Sequence, residues 1–406
     1  MASLDDLLAP TEIRARCHEI LSLAEAGQLP HFALDLSRLD AVVERVLAVT
    51  NATYPSGVIP FHSRWRHFEV AGRDLWADLA AQTDFGSATE WARTRYDLAI
   101  ISVLLDAGAG PDWRGADAVT GETFARSEGL AVASFRLFDS RTLSMDGRRL
   151  RVDAQGLRNL TIETLAASFQ VSSENPLTGL EGRLSLLHNL ADALDASPAT
   201  YTVEGVSRPG HLADRLLGEA TGDALPAPHI LAALLETMSP IWPDGLQAKG
   251  TSLGDVGRHP SISRADETDG LIPFHKLSQW LTYSLIEPLE EAGLSITGVN
   301  DLTGLPEYRN GGLFLDTGVL MPKDPENWMR THRVDSSFVV EWRALTVALL
   351  DRDAEQIRTR LNKSADDLPL ARILQGGTWN AGRQIAAEKR DGGGPPLKLE
   401  LTGTVF

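Results

Sequence analysis

The residue types best suited to chemistry concentrate in a few short segments. Residues 59–76, IPFHSRWRHFEVAGRDLW, set His62, Arg64, Arg66, His67, Glu69 and Arg73 among Phe61, Trp65 and Phe68. Guanidinium groups match phosphate or carboxylate oxygens in a bidentate fork, and the rings can stack on a planar group. The same string also reads as a surface loop pinned by Trp65. Residues 266–284 carry His275, Lys276, Gln279 and Trp280. With Pro273 in the first turn of a helix, a spacing of four places His275 and Gln279 on one face. The amides at such a helix start attract anions; the alternative is a helix with Leu277 and Trp280 in a core and its polar residues solvated.

Residues 300–320 place Glu307, Tyr308 and Arg309 before a Gly-Gly pair, with Asp316 at the end of a short apolar run. An acid at a strand end beside a flexible turn can face a cleft, or bond its own backbone. In SSFVVEWRALTVALLD (336–351), Glu341 and Arg343 sit in an otherwise apolar helix. Burying such charges unpaired costs several kcal/mol on the usual scale of roughly 3–5, so they form a structural ion pair or serve a site. Trp379 and Arg383 follow a Gly-Gly pair in 373–386, a plausible anion seat. Glu181 and Arg183 stand at another helix start, where Glu181 first serves the helix dipole.

Other chemistries lack their signatures. The ten histidines form no H-E-x-x-H and no tight cluster with acids, so no metal site is expected. There is no G-x-S-x-G elbow, no phosphate-cradling G-x-x-x-x-G-K-[ST] and no dinucleotide-type GxGxxG after a strand. The single cysteine, Cys17, precludes an intrachain disulfide and reads as a buried core thiol.

Helices must position these groups. Apolar periodicity predicts them over 5–26, 36–50, 89–107, 159–169, 181–195, 211–219, 229–238, 273–292, 336–351, 354–362, 366–374 and 379–389. Strands are few: 148–152, 313–315, 319–321 and 397–401. Strands and helices do not alternate, which argues against a doubly wound sheet. The expectation is a mainly α, compact multi-helix fold with a few short β-hairpins. It forms one domain over 1–406, or two lobes, 1–155 and 156–406, the second carrying most candidate residues. A long polar loop is expected over 244–269.

The 406 residues carry 38 basic and 55 acidic side chains, a net charge of −17. Nucleic acid and anionic membrane are poor partners for such a surface, since both are bound through cationic patches. The N-terminus has no basic region leading into an apolar run, and no stretch approaches the roughly 18 apolar residues of a membrane span. A cytoplasmic protein is expected.

Seven strings carry a family resemblance: IPFHSRWRHFE, RSEGLAVASF, NPLTGLEGR, PFHKLSQWLTYSLIEPLE, YRNGGLFLDTGVL, EWRALTV and GGTWNAGRQIAAE. Together they resemble the Urc/Urg proteins of uracil catabolism, specifically the family of the fourth protein of the fungal URC pathway, from about residue 10 to the terminal GTVF. A more distant likeness, to queuosine-salvage ribohydrolases, implies an all-helical, DNA-glycosylase-like fold.

The resemblance implies a place in a pathway that opens the uracil ring and releases urea through a ribosylurea species. Cleaving its C1′–N bond would pass through an oxocarbenium-like state and need a carboxylate near C1′. On that reading Asp316 and Glu341 are the catalytic candidates, with Glu307 and Glu181 in reserve. His62, Arg64, Arg66, His275, Lys276, Arg309, Arg343 and Arg383 would bind ribose or phosphate, and Trp280, Tyr308 and Trp379 would wall the pocket.

The expected function is hydrolysis of ribosylurea or its 5′-phosphate, with no cofactor. One alternative is an amidohydrolase-type step on a ureido intermediate, which would require a divalent metal. The other is a non-catalytic partner of the cyclohydrolase-like ring-opening enzyme.

Overall fold

A computed structural model describes residues 3–243 and 245–400. Among these residues the fold is mainly helical, and strands occur as short pairs. The helices used below are α1 (Pro10–Glu25), α2 (Leu39–Thr53), α3 (Ala88–Leu104), α4 (Arg126–Asp139), α5 (Leu180–Ala196), α6 (Ala227–Met238), α7 (Lys276–Glu291), α8 (Tyr308–Asp316), α9 (Ser337–Leu361) and α10 (Trp379–Lys389). The strands are β1 (Phe32–Leu34), β2 (Val256–Arg258), β3 (Leu271–Pro273) and β4 (Leu320–Pro322).

The chain divides into two compact units assembled from separated stretches. The first holds residues up to His62, Leu246–Gln279 and Gly298–Glu400; the second holds Ser63–Gly245 and Trp280–Thr297. A single cut near residue 155 falls inside the second unit. Helix α7 gives its first turn to the first unit and the rest to the second.

In the first unit α9 is the organising helix. Its residues from Phe338 to Leu350 are all buried, so it presents almost no solvated face over that stretch. Helix α1 packs on it, with Ile13, Cys17 and Ile20 fully buried. β1 pairs antiparallel with β4 (Ala33 opposite Met321), and β2 with β3 (Gly257 opposite Ile272). Gly257 is required there: a Cβ would lie 2.6 Å from Val340 of α9.

The second unit is built on α3, with every residue from Thr94 to Leu104 buried. Its Asp97 accepts from Arg208 Nε at 2.7 Å and from the amides of Val152 (2.9 Å) and Gly210 (2.7 Å). Arg183, fully buried on α5, donates to the carbonyls of Leu105, Ala107 and Gly108 just past the end of α3, where helix carbonyls lack partners.

The structure corrects several expected elements. Residues 313–315 are not a strand but the end of α8, and residues 148–152 form no strand. The helices expected over 336–351 and 354–362 are one helix, α9. Pro273 lies in β3 rather than opening α7. The helix α4 carried no expectation. The polar stretch after residue 244 holds three short strands, at Leu246–Ala248, Thr251–Gly254 and β2. Asp244 and Leu401, at the edges of two expected segments, lie outside the described residues, as does the terminal GTVF.

One side chain on α9 has no compensation. Asp353 is fully buried and neither carboxylate oxygen meets a donor. Burial pushes its carboxyl up to about 8, with Arg360 opposing weakly. The folded state therefore binds this proton more tightly than the unfolded chain, whose carboxyl titrates near about 4. Its contribution to stability is complete below about pH 4 and is lost as pH rises toward about 8. Asp353→Asn is expected to remove that part of the slope and to be more stable than the parent at about pH 8, by a few kcal/mol in order of magnitude. Urea denaturation of both proteins across this range checks it, and parallel slopes would contradict it.

Candidate functional site

Within the first unit, five of the sequence-selected residues gather where α7 begins and where α8 begins. The route starts at Asp255, the residue before β2. Its carbonyl accepts from the amides of Phe274 (2.9 Å) and His275 (3.2 Å), which follow β3. Its carboxylate takes both arms of Arg343 from α9, at 2.8 and 2.7 Å, and the amide of Lys276 at 3.0 Å. The Arg343 guanidinium also lies 4.1 Å from the Phe274 ring centre. Arg343 holds the Asp255 carboxyl below its ordinary range against the opposing effect of burial. Between the strand and the helix, His275 has φ +46, a left-handed conformation that costs a side-chain-bearing residue energy. Its Nε2 donates to the Leu7 carbonyl at 2.9 Å, and burial lowers its proton affinity.

Glu307 caps α8. Its two oxygens accept from the amides of Arg309 and Asn310, each at 2.6 Å. Burial raises its carboxyl above the ordinary glutamate range; the two amides, Lys276 and Arg309 offset part of that rise. Glu307, Tyr308 and Lys276 are each half-buried. Arg309 donates to the Gly393 carbonyl at 2.8 Å and stacks on Tyr308 at 4.8 Å.

Helix α10 closes against this end of α8. Thr378 donates to the Asn310 side chain at 2.9 Å, and a Cβ on Gly382 would lie 2.2 Å from the Arg309 carbonyl. The turn before α10, Leu374–Thr378, is a π-helix, a form common at functional sites. Trp379 lies 6.0 Å from the His62 ring and 5.8 Å from the Arg383 guanidinium. His62 Nδ1 donates to Gln375 Oε1 at 2.9 Å, and burial lowers its pKa to about 4, so it is a neutral ring.

The two leading carboxylate candidates are committed elsewhere in the unit. Asp316 is locked by Arg390 through two bonds, at 2.7 and 2.6 Å. Glu341 is fully buried; one oxygen accepts from the amides of His31 (3.2 Å) and Phe32 (2.8 Å), the other from His259 Nε2 at 2.9 Å. Arg64, Arg66, Glu181 and Trp280 belong to the second unit. There Arg64 is buried, bonded to Ser102 (2.6 Å), paired with Asp106 (3.2 Å) and 5.4 Å from the Trp280 ring. Arg66 pairs with Glu287 and Glu69, and Glu181 is an exposed residue in the first turn of α5.

Contrary to expectation, histidines and an acid do cluster. Donor atoms of His31, His259 and Glu341 lie within 4.8 Å of one another and could hold a metal ion. Only folding joins these three segments, so no local spacing could have marked them. The hydrogen bonds fit a proton there better than a cation. Ser261 donates its amide to His259 Nδ1 at 3.2 Å, which leaves the ring proton on Nε2, facing Glu341. A metal on Nε2 would strip the ring of its last proton unless Ser261 moved.

These features define a mainly helical protein with a half-buried, helix-capping glutamate whose proton affinity is raised by burial, a rise partly offset by the charge of Lys276. The family model described as "Protein of unknown function (DUF1688)" matches residues 6–406, and the chain belongs to that family. It is 38% identical over 412 residues to "Protein urg3" of Schizosaccharomyces pombe, covering 98% of each chain. It is 39% identical over 415 residues to "Uracil catabolism protein 4" of Lachancea kluyveri, covering 94% of this chain and 93% of the relative.

Glu341→Gln would turn an amide NH2 toward the His259 Nε2–H, and Asp316→Asn would remove a charge from the Arg390 pair. Each is expected to lower stability by roughly 1–3 kcal/mol. Thermal unfolding measures this, and unchanged melting temperatures would show these carboxylates to be free for other work.

Proposed function

We propose that this protein acts in uracil catabolism as an N-ribohydrolase, cleaving ribosylurea or its 5′-phosphate to urea and the free sugar, with Glu307 and Lys276 as the reacting pair. The observation that carries the proposal is Glu307 itself: a half-buried carboxyl that caps a helix through two backbone amides, has its proton affinity raised by burial and feels the charge of Lys276. The relative named "Uracil catabolism protein 4" supports the pathway, and ribosylurea is the substrate that this reading assigns within it.

The reaction breaks C1′–N and forms C1′–O. As positive charge grows at C1′, ionised Glu307 stabilises it and takes a proton from the attacking water. The urea nitrogen leaves poorly as an anion, so it departs with a proton supplied by the Lys276 ammonium. One water is consumed and no redox partner is required. Tyr308 and Trp379 offer flat apolar walls, and Arg309 and Arg383 offer hydrogen-bond donors to sugar or phosphate oxygens. Asp316 and Glu341, proposed from the sequence for the carboxylate role, act in this scheme as structural partners of Arg390 and His259.

A second reading, a metal-assisted amidohydrolase step, rests on the His31–His259–Glu341 group and requires the Ser261 amide to release His259 Nδ1. A third is a binding partner of the ring-opening enzyme. Urea release by chelator-treated protein separates them. The hydrolase reading expects release without metal and a loss of about 100-fold or more in Glu307→Gln. Since Glu307 must be ionised and burial raises its pKa, turnover should fall with falling pH at a point above the ordinary glutamate range of about 4.3. Release only after adding a divalent ion would support the amidohydrolase reading, and none in either condition the partner reading.

A further inference from the structure

We infer that Asp255, with Arg343, is a positioning residue that sets the Lys276 ammonium against Glu307, an inference that rests on those two being the reacting pair. The case begins with how α7 starts. The residue before the helix, His275, stands at φ +46, outside the extended conformation that an ordinary capping residue adopts. A left-handed, side-chain-bearing residue survives only where its surroundings dictate it. Here they do. The His275 amide is held by the Asp255 carbonyl, its ring by the Leu7 carbonyl, and its own carbonyl by the Gln279 amide at 2.8 Å. The next amide, that of Lys276, is held by the Asp255 carboxylate.

Asp255 thus uses both its carbonyl and its carboxylate on three consecutive residues, Phe274, His275 and Lys276. Its carboxylate can turn in only one direction, because the Arg343 fork engages both oxygens. Arg343 in turn is fixed on α9, within the stretch Phe338–Leu350 that is buried throughout. A buried ion pair adds little net stability over a well-packed apolar pair, so geometry is what such a pair chiefly confers. The geometry set here is the position of the Lys276 backbone, from which its ammonium acts on Glu307. The charged groups acting on Glu307 are Lys276 and Arg309; Asp255 feels the Arg343 charge and has the His275 ring beside it.

The test compares the full-length parent with Asp255→Asn, Arg343→Lys, Lys276→Met and Glu307→Gln. Two readouts are used: urea release from ribosylurea and its 5′-phosphate across pH, and the 13C titration of the Glu307 carboxyl, assigned by its absence in Glu307→Gln. Asp255→Asn keeps the shape but loses the charge that orients Arg343. It is expected to lower kcat 10- to 100-fold, to change KM less than twofold and to raise the pH at which Glu307 titrates, in the direction of Lys276→Met. Arg343→Lys, which keeps the charge without the fork, should do the same to a smaller extent, and it decides the matter if Asp255→Asn does not fold. A folded Asp255→Asn or Arg343→Lys with parental kcat and an unmoved Glu307 titration overturns the inference. Unchanged urea release in Lys276→Met and Glu307→Gln instead overturns the hydrolase reading. The titration still reports whether Asp255 sets the lysine.

Discussion

The first unit depends on the cost of burying charge along one helix. From Phe338 to Leu350, α9 has no wet face, yet it carries Glu341 and Arg343 there and Asp351 one residue further on. Each must recruit a partner, because a lone buried charge is far more expensive than the pair. Glu341 fixes His259 and the chain at His31 and Phe32, where β1 begins. Arg343 fixes Asp255, and through it the start of α7. Asp351 takes Arg14 and His18 of α1, both at 2.8 Å. Between them, Trp342 donates to the Gly311 carbonyl of α8 at 3.1 Å. A single central helix thereby holds elements from both ends of the chain in one register.

The parts of this fold governed by local patterning were legible in the sequence. The apolar stripes of α1, α2 and α5 predicted helices, and the structure has helices there, within a few residues. So was the demand that Glu341 and Arg343 be paired or functional, since it follows from composition alone. What was not legible depends on distant contacts. Helix α8 reads as a strand because Gly311 and Gly312 are poor helix formers. Gly311 stands there because the Trp342 ring lies 2.8 Å from where its Cβ would be, and a Cβ on Gly312 would lie 3.2 Å from Pro396. Helix α4 carries Gly129 for a similar reason: Trp113 lies 2.7 Å from its missing Cβ. The charges at 351–353 suggest a break in α9, but Asp351 is paired across to α1 and the helix continues. The group of His31, His259 and Glu341 left no trace in local spacing.

The choice among carboxylates turns on the same accounting of partners. An acid whose oxygens are engaged by the side chains of an arginine or a histidine is committed to holding that partner. Asp316 and Glu341 are of this kind, and their appeal in the sequence, acids in apolar surroundings, is a sign of pairing. Glu307 differs in the nature of its partners. Two of its hydrogen bonds come from backbone amides, which carry no net charge; burial raises its proton affinity, and these amides, with the charges of Lys276 and Arg309, offset part of the rise.

Glutamate is also an unusual residue for its position. Helix N-caps favour serine, threonine, aspartate and asparagine, whose short side chains fold back onto the first free amides. A glutamate has one more methylene to order, and in a half-buried place it bears the desolvation of a charge as well. Local stability alone would select a shorter cap. A longer carboxylate kept there, with a lysine brought near from a helix that starts on a strained residue, uses strain and burial in a way that stability does not require. That combination is what a site prepared for proton transfer demands: two groups of opposite charge whose surroundings, rather than each other alone, set their affinity for the proton.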